Sequence, residues 1–271
     1  MKILYTILLV FILSISAVAS LYFLQETSAK NGFSRERTAV LKPLNTLDLT
    51  YNSYYITTLT DSGIVLGNRT VKEKFSCGYD LKGLQVLPAT TGNAKKYQLP
   101  ADFFKDRTDN FSVDGFTCYN KTAGRVFFTY YYRNQFLCLD TNMNVLYTGT
   151  TIDTNTIAKI KLAEYEADGK TIRTMAKPAL MVNKKGYSDG NYYYNEAALA
   201  GDNEDRRTFN KHTVLDVYKL DNGGKYSHSL YLPNYKDKQL TGFAVRGDLL
   251  MAIYDRYLVS YSLKRREAPT K

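Results

Sequence analysis

Arg125-Val126-Phe127-Phe128-Thr129-Tyr130-Tyr131-Tyr132-Arg133-Asn134, continuing as Gln135-Phe136-Leu137-Cys138-Leu139-Asp140, is the stretch on which the fold turns. A strand with one wet face alternates apolar and polar side chains. Here neighbouring side chains are bulky, so both faces of the strand must pack. Parallel sheets meet that demand with helices on each side, yet no amphipathic helix is evident past Thr38. Only Phe103-Phe104 and the stretch 196–206 suggest short helical turns. A sheet pressed between two other sheets satisfies the same demand without helices.

A repeating phrase points the same way. An apolar strand leads to a polar turn and an apolar return at Phe75 to Leu81 with Leu84 to Leu87, across Lys82-Gly83. It recurs at Phe136 to Asp140 with Val145 to Tyr147, and at Val214 to Leu220 with Tyr226 to Leu232. Tyr257 to Leu263 begins the phrase once more. Two further strands precede these units, as in Ser53 to Thr58 with Gly63 to Leu66, and Phe243 to Arg246 with Leu249 to Tyr254. The fold class expected is therefore all-β, a small or partial β-propeller of about four blades. An open, sandwich-like arrangement is the alternative. The last blade lacks its fourth strand, which Thr38 to Leu44 can supply, and residues 157–174 form an insertion. Composition agrees: 24 Tyr and 13 Phe with no Trp favour pleated, half-buried surfaces.

The N-terminus is a separate problem. From Ile3 to Leu24 the chain carries no charge, and about 20 apolar residues suffice to span a bilayer. Ala17-Val18-Ala19 fits a cleavage site for a signal peptide, whereas renewed apolarity at Leu21-Tyr22-Phe23-Leu24 suits an uncleaved anchor. The expected organisation is a signal anchor or signal peptide over 1–29, a linker able to provide the closing strand over 30–47, and the propeller-like domain over 48–271. Export places the domain in the periplasm, tethered to the inner membrane or released after cleavage. The basic residues flanking the span, Lys2 on one side and Lys30, Arg35, Arg37 and Lys42 on the other, do not fix the orientation.

Leu47 to Ile56, Leu66-Gly67-Asn68, Tyr130 to Phe136, Thr150 to Thr154, Val214 to Tyr218 and Ser229 to Pro233 together resemble a group of uncharacterised, membrane-tethered, propeller-like envelope proteins of Gram-negative bacteria. The resemblance covers most of residues 40–263, with a shortened middle between Pro88 and Asp109. It implies the fold and the location, and supplies no catalytic residues.

No motif for a serine nucleophile, a phosphate-binding loop or a zinc hydrolase is present. Neither catalytic nor cofactor-binding residues are assigned. Two histidines and three cysteines without ligand spacing argue against a metal; Asp202-Asn203-Glu204-Asp205 lacks the spacing of a calcium loop and reads as a solvated turn. A disulfide between Cys118 and Cys138 is a hypothesis for an oxidising compartment. The net charge of +10 is spread over short clusters such as Lys95-Lys96 and Lys184-Lys185, which disfavours a nucleic-acid footprint. Tyr and Arg favour binding surfaces, so Tyr132, Arg133, Asn134, Asp153 and Tyr193 are the candidate partner-binding residues, against the simpler reading of the Tyr runs as blade packing. The expected function is a membrane-anchored, extracytoplasmic interaction module for a protein, peptide or glycan. The alternative is a glycan hydrolase or lyase with acidic or His residues converging at the propeller axis.

Overall fold

The computed structural model describes residues 2–28, 30–36, 38–68, 74–80, 83–88 and 111–264. Phe103-Phe104, Lys95-Lys96, Lys82 and the shortened middle lie outside them. Helix α1 (Lys2–Ser28) holds an 18-residue window, Ile3–Ser20, of mean hydropathy 2.4, none of it buried against the rest of the chain. At 1.5 Å per residue it is about 40 Å long, long and apolar enough to cross a membrane.

Four blades follow, each built on four antiparallel strands. Blade 1 is β3 (Tyr54–Leu59), β4 (Gly63–Asn68), β5 (Lys74–Asp80) and β6 (Gly83–Pro88); blade 2 is β7 (Gly115–Asn120), β8 (Arg125–Tyr130), β9 (Gln135–Leu139) and β10 (Val145–Thr150). A two-stranded hairpin, β11 (Leu162–Ala167) with β12 (Lys170–Met175), fills the expected insertion. Blade 3 is β13 (Asn183–Asp189), β14 (Tyr192–Ala197), β15 (His212–Lys219) and β16 (Lys225–Pro233), with the short helix α2 (Arg206–Asn210) before β15. Blade 4 is β17 (Gly242–Arg246), β18 (Leu249–Tyr254), β19 (Tyr257–Ser262) and β2 (Pro43–Asp48). The fold is all-β, a four-bladed propeller-like arrangement behind an apolar helix.

The closing strand differs from the expected one. Residues Pro43–Asp48 complete blade 4, Leu47 facing Leu258 and Asp48 facing Tyr257. The earlier residues, β1 (Thr38–Val40), instead extend blade 3 in parallel, Thr38 opposite Ser229. One N-terminal segment thus serves two blades. Because the partner of β2 is β19 (Tyr257–Ser262), β2 has no strand to pair with until the last blade has formed.

Packing between blades explains the aromatic runs. Tyr194, Leu215 and Val217 of blade 3 meet Phe243, Val245 and Tyr254 of blade 4. Ala244, Met251 and Ile253 of blade 4 meet Leu59, Ile64 and Leu66 of blade 1. Phe127 and Phe136 of blade 2 meet Tyr193 and Tyr218 of blade 3. Along β8, Phe127 faces that cluster while Phe128 and Tyr130 pack into the other face with Leu137 and Leu139. Consecutive bulky residues are both buried, as the sequence demanded. The tyrosine run itself is divided: Tyr130 ends the strand, and Tyr131 and Tyr132 lie half-buried in the turn beyond it.

Cys118 and Cys138 are free thiols, which corrects the proposed disulfide. Both lie opposite Phe127, on β7 and β9 respectively. Two strand spacings of ~4.8 Å separate them, beyond the Cα distance a disulfide tolerates. Cys77 lies on β5, whose side chains are outside the description.

Candidate functional site

The first strands of the blades, β3, β7, β13 and β17, form the inner layer, with β7 against β13, β13 against β17, and β17 against β3. Their C-terminal ends meet at what we call the lower rim. There the Arg246 guanidinium donates to Asp61 (Nε to Oδ1, 2.7 Å) and to Asp189 (Nη1 to Oδ1, 3.1 Å), and lies 3.2 Å from the Thr122 hydroxyl. Asp189 also accepts from the Gly247 N–H at 2.8 Å. One side chain of blade 4 therefore holds blades 1, 2 and 3. The hydrogen bond and charge of Arg246 keep the Asp61 carboxyl below its usual range. Glycoside chemistry needs one carboxyl protonated beside one ionised, and Asp61, held toward its ionised form by Arg246, is unsuited to be the protonated one.

The upper rim, where the inner strands begin, gathers most of the residues picked from sequence. Asn134, in the β8–β9 turn, donates from its side chain to the Asp153 carbonyl at 2.6 Å. Its N–H donates to the Asn155 carbonyl at 2.7 Å, and its own carbonyl accepts from Thr151 N–H at 3.0 Å. The Asp153 carboxylate accepts from Thr151 Oγ1 at 2.6 Å and Asn155 N–H at 2.9 Å. Both Asn134 and Asp153 are buried; their bonds tie the turn to the loop leaving β10. Arg133 lies over the Tyr130 ring at 3.7 Å, and its carbonyl accepts from Asn183 Nδ2 at 3.0 Å. Tyr132 and Arg133 keep part of their surface in solvent. Tyr193 does not: it is fully buried, stacked on Phe127 at 5.0 Å, with its hydroxyl on Thr129 Oγ1. It is core, and it reaches no partner from the folded ring.

Sequence reasoning missed the cluster with the heaviest electrostatics. Arg35, counted only as a charge beyond the helix, is buried at the upper edge of blade 3. Its Nε and Nη2 donate to both oxygens of Asp216, at 2.8 and 3.0 Å, and its Nη1 donates to Glu204. Burial works against the charge on Arg35, but Asp216 and Glu204 outweigh it and raise its pKa. The acidic run read as a solvated turn is a cradle for this linker. Asp202 accepts from the N–H groups of Asn31 (2.6 Å) and Gly32 (3.1 Å), and Asn203 bonds both the N–H and the carbonyl of Arg35. Asp205 caps α2 through Thr208 N–H at 2.8 Å. Asn31 is held from the other side too, its carbonyl accepting from Thr154 Oγ1 of blade 2 at 2.8 Å. No spacing pattern announces contacts made across more than 120 residues.

Glu196 lies buried at the same rim, 3.6 Å from Lys184 and 3.8 Å from Lys185, with one carboxylate oxygen lacking a hydrogen bond. Burial raises its pKa against the pull of the two lysines. A carboxyl raised in the folded state favours folding at low pH, and that contribution is lost as pH rises through its folded value. Glu196→Gln is therefore expected to be more stable than the parent at neutral pH. The difference should close as pH falls below the ordinary carboxylate range. A pH series of urea midpoints checks it; a constant difference at all pH values contradicts it.

A cleft of about 330 Å3 opens between blades 2 and 3, lined in part by Arg125, Cys138, Tyr147, Asn191 and Asp221. Burial raises the Cys138 thiol, which leaves it protonated and a poor nucleophile or metal ligand. Among the described residues no group of three or more His, Cys, Asp and Glu side chains is placed to hold a metal ion.

Strand order and blade packing thus define a small propeller whose upper rim is fastened to the segment that leaves an apolar helix. No known family and no curated protein matches the chain. Among solved structures, a streptogramin B lyase is similar over 81% of this chain and 97% of its own, at TM-score 0.35 and 10% identity. The β-propeller domain of Cps50 (Swd1) from Myceliophteria thermophila is similar over 78% and 70%, at 0.23 and 8%. BamB from Moraxella catarrhalis is similar over 85% and 100%, at 0.26 and 11%. At these scores the alignments add nothing to what the strand topology establishes, and no activity is carried across.

Proposed function

We propose that the chain is a membrane-tethered scaffold: α1 sits in the bilayer, and the propeller presents its upper-rim loops to a protein, peptide or glycan partner outside the cytoplasm. The observation that carries this reading is the clasp on the linker. Burying a guanidinium with two carboxylates costs several kcal/mol in desolvation per ion. What the arrangement gives in return is a firm attachment of Asn31 to Arg35, which follow α1 within a few residues, to the blades; a domain with no tether does not need it. Rigid scaffolds that display loops are common recognition surfaces. Tyr132 and Arg133 carry the contact, and Asn134 and Asp153 hold their turn in place.

The test is photo-crosslinking of the full chain in its membrane, with the reactive group at Tyr132 or at Arg133 and a control at Val145. Reproducible adducts from the first two positions alone support the reading. Adducts from none of the three, or from Val145 equally, contradict it.

A further inference from the structure

The hairpin β11–β12 is not part of any blade. Neither strand pairs with another sheet, and none of its side chains is buried. It turns through Asp168-Gly169, both at positive φ (50° and 70°), the geometry a two-residue hairpin loop requires. Directly opposed residues share a face, and the register pairs Ala163 with Thr174, Tyr165 with Ile172 and Ala167 with Lys170. That face is largely apolar and open: Tyr165 is 52% exposed. The other face carries Glu164 bound to Arg173 at 2.6 Å and Glu166 bound to Thr171 at 2.6 Å. The segments that join the hairpin to the ring add more exposed apolar residues, Ile157 at 74% with Leu180 and Met181. They also carry Lys159, Lys161 and Lys177, none of which has an acidic partner among the described residues. An isolated two-stranded hairpin is marginal in water, so this one calls for a surface to rest on.

The position of the tether says which surface. The apolar run ends at Leu24, and four more residues bring α1 to Ser28, a rise of about 6 Å. Only Ala29 and Lys30 separate Ser28 from Asn31, so the chain spans at most ~11 Å to that residue. Asn31 is then hydrogen-bonded to Thr154. If α1 crosses a bilayer, Asn31 is held within roughly 17 Å of the hydrocarbon edge and Thr154, one hydrogen bond further, within about 24 Å, of which the headgroup layer takes about 5–8 Å. Ile157 and Lys159 follow three and five residues later. Three to five residues span at most ~10–18 Å, so the chain is long enough to bring both down to within a Debye length of the headgroups, ~8 Å at physiological ionic strength. An anionic leaflet attracts basic residues over that range, and Ile and Tyr side chains suit the interface below it.

We propose that residues 157–181 form an interfacial arm that rests on the same anionic phospholipid surface that α1 enters, with Lys159, Lys161 and Lys177 on the headgroups and Ile157, Tyr165 and Ile172 against the acyl boundary. This rests on the tether reading above, and the test separates the two. The chain has no tryptophan, so a single introduced Trp reports without background. Ile157→Trp, Tyr165→Trp and the lower-rim control Val145→Trp, each in the full chain, are reconstituted into vesicles of neutral lipid with and without an anionic phospholipid, with bromine-labelled acyl chains as quencher.

In anionic vesicles the first two reporters are expected to shift to the blue and to be quenched, and Val145→Trp to do neither. Replacing Lys159, Lys161 and Lys177 together by Gln should remove most of the quenching in anionic vesicles and leave the neutral ones unchanged. Failure of the chain to remain with vesicles through alkaline extraction overturns the tether and the arm together. Retention with all three reporters alike overturns the arm alone. A blue shift without lipid quenching also overturns it, and assigns the face to a protein or to a second copy. Equal quenching in neutral and anionic vesicles removes the role of the lysines.

Discussion

Arg35→Met is expected to destabilise the folded ring by about 3–5 kcal/mol, the cost of leaving a buried charge without its partner. The guanidinium side chain is 1% exposed and the Asp216 side chain 2%, so water cannot take its place. Asp216 keeps the Ser229 hydroxyl at 2.6 Å, which offsets little of the lost cation. The double variant Arg35→Met with Asp216→Asn should recover a large part of the loss, because a neutral amide costs far less to bury than a carboxylate. Urea midpoints of the full chain in detergent, parent against single and double variants, measure both numbers. A second readout follows from the linker. With its clasp gone, trypsin should cut after Lys30 faster at a urea concentration too low to unfold the blades. A single variant as stable as the parent would mean that Asp216 and Glu204 are hydrated in solution.

Phe136→Ala is expected to cost about 3–5 kcal/mol, the usual range for an aromatic removed from a packed core. Phe136 is fully buried, with ring centroids 5.1 Å from Tyr193, 5.7 Å from Tyr218 and 6.3 Å from Phe127. Blade 2 and blade 3 meet through this group. The ring also covers two glycines: a Cβ on Gly149 would come within 2.2 Å of it, and one on Gly224 within 2.6 Å. In the parent, Gly149→Ala overpacks the site and should cost about 1–3 kcal/mol. In the Phe136→Ala background the same substitution fills part of the cavity and should be neutral or stabilising. That reversal of sign is a coupling only direct contact produces. Additive effects would place the Phe136 ring elsewhere.

The blade strands were largely legible. Polar turns between apolar runs marked β5–β6, β9–β10 and β15–β16, because a hairpin is a local object whose turn residues sit between its strands. Two-sided burial of Phe127 to Tyr130 was legible for the same reason: alternation, or its failure, is written in consecutive residues. The closing strand was placed a few residues early. Thr38 to Leu44 was expected, and Pro43–Asp48 pairs with β19, because register against a partner more than 200 residues away leaves no local trace. The acidic run Asp202 to Asp205 is a cradle for Asn31 to Arg35, and nothing adjacent to either segment says so. The five candidate contact residues show the same limit. Their types suggested a surface, whereas burial divides them into Tyr132 and Arg133 with solvent access and Asn134, Asp153 and Tyr193 without.

By itself the sequence determined the apolar helix, the strand repeat and the need for sheets to press on both sides of the aromatic strands. These follow from hydrophobic periodicity and turn chemistry, which act between neighbours in the chain. Only the tertiary structure decided which segment completes blade 4, which charges are buried with partners, and which loop the linker after the apolar helix is fastened to. Each of those is settled by the burial of groups far apart in sequence, and the free energy of burial depends on what a side chain meets in space.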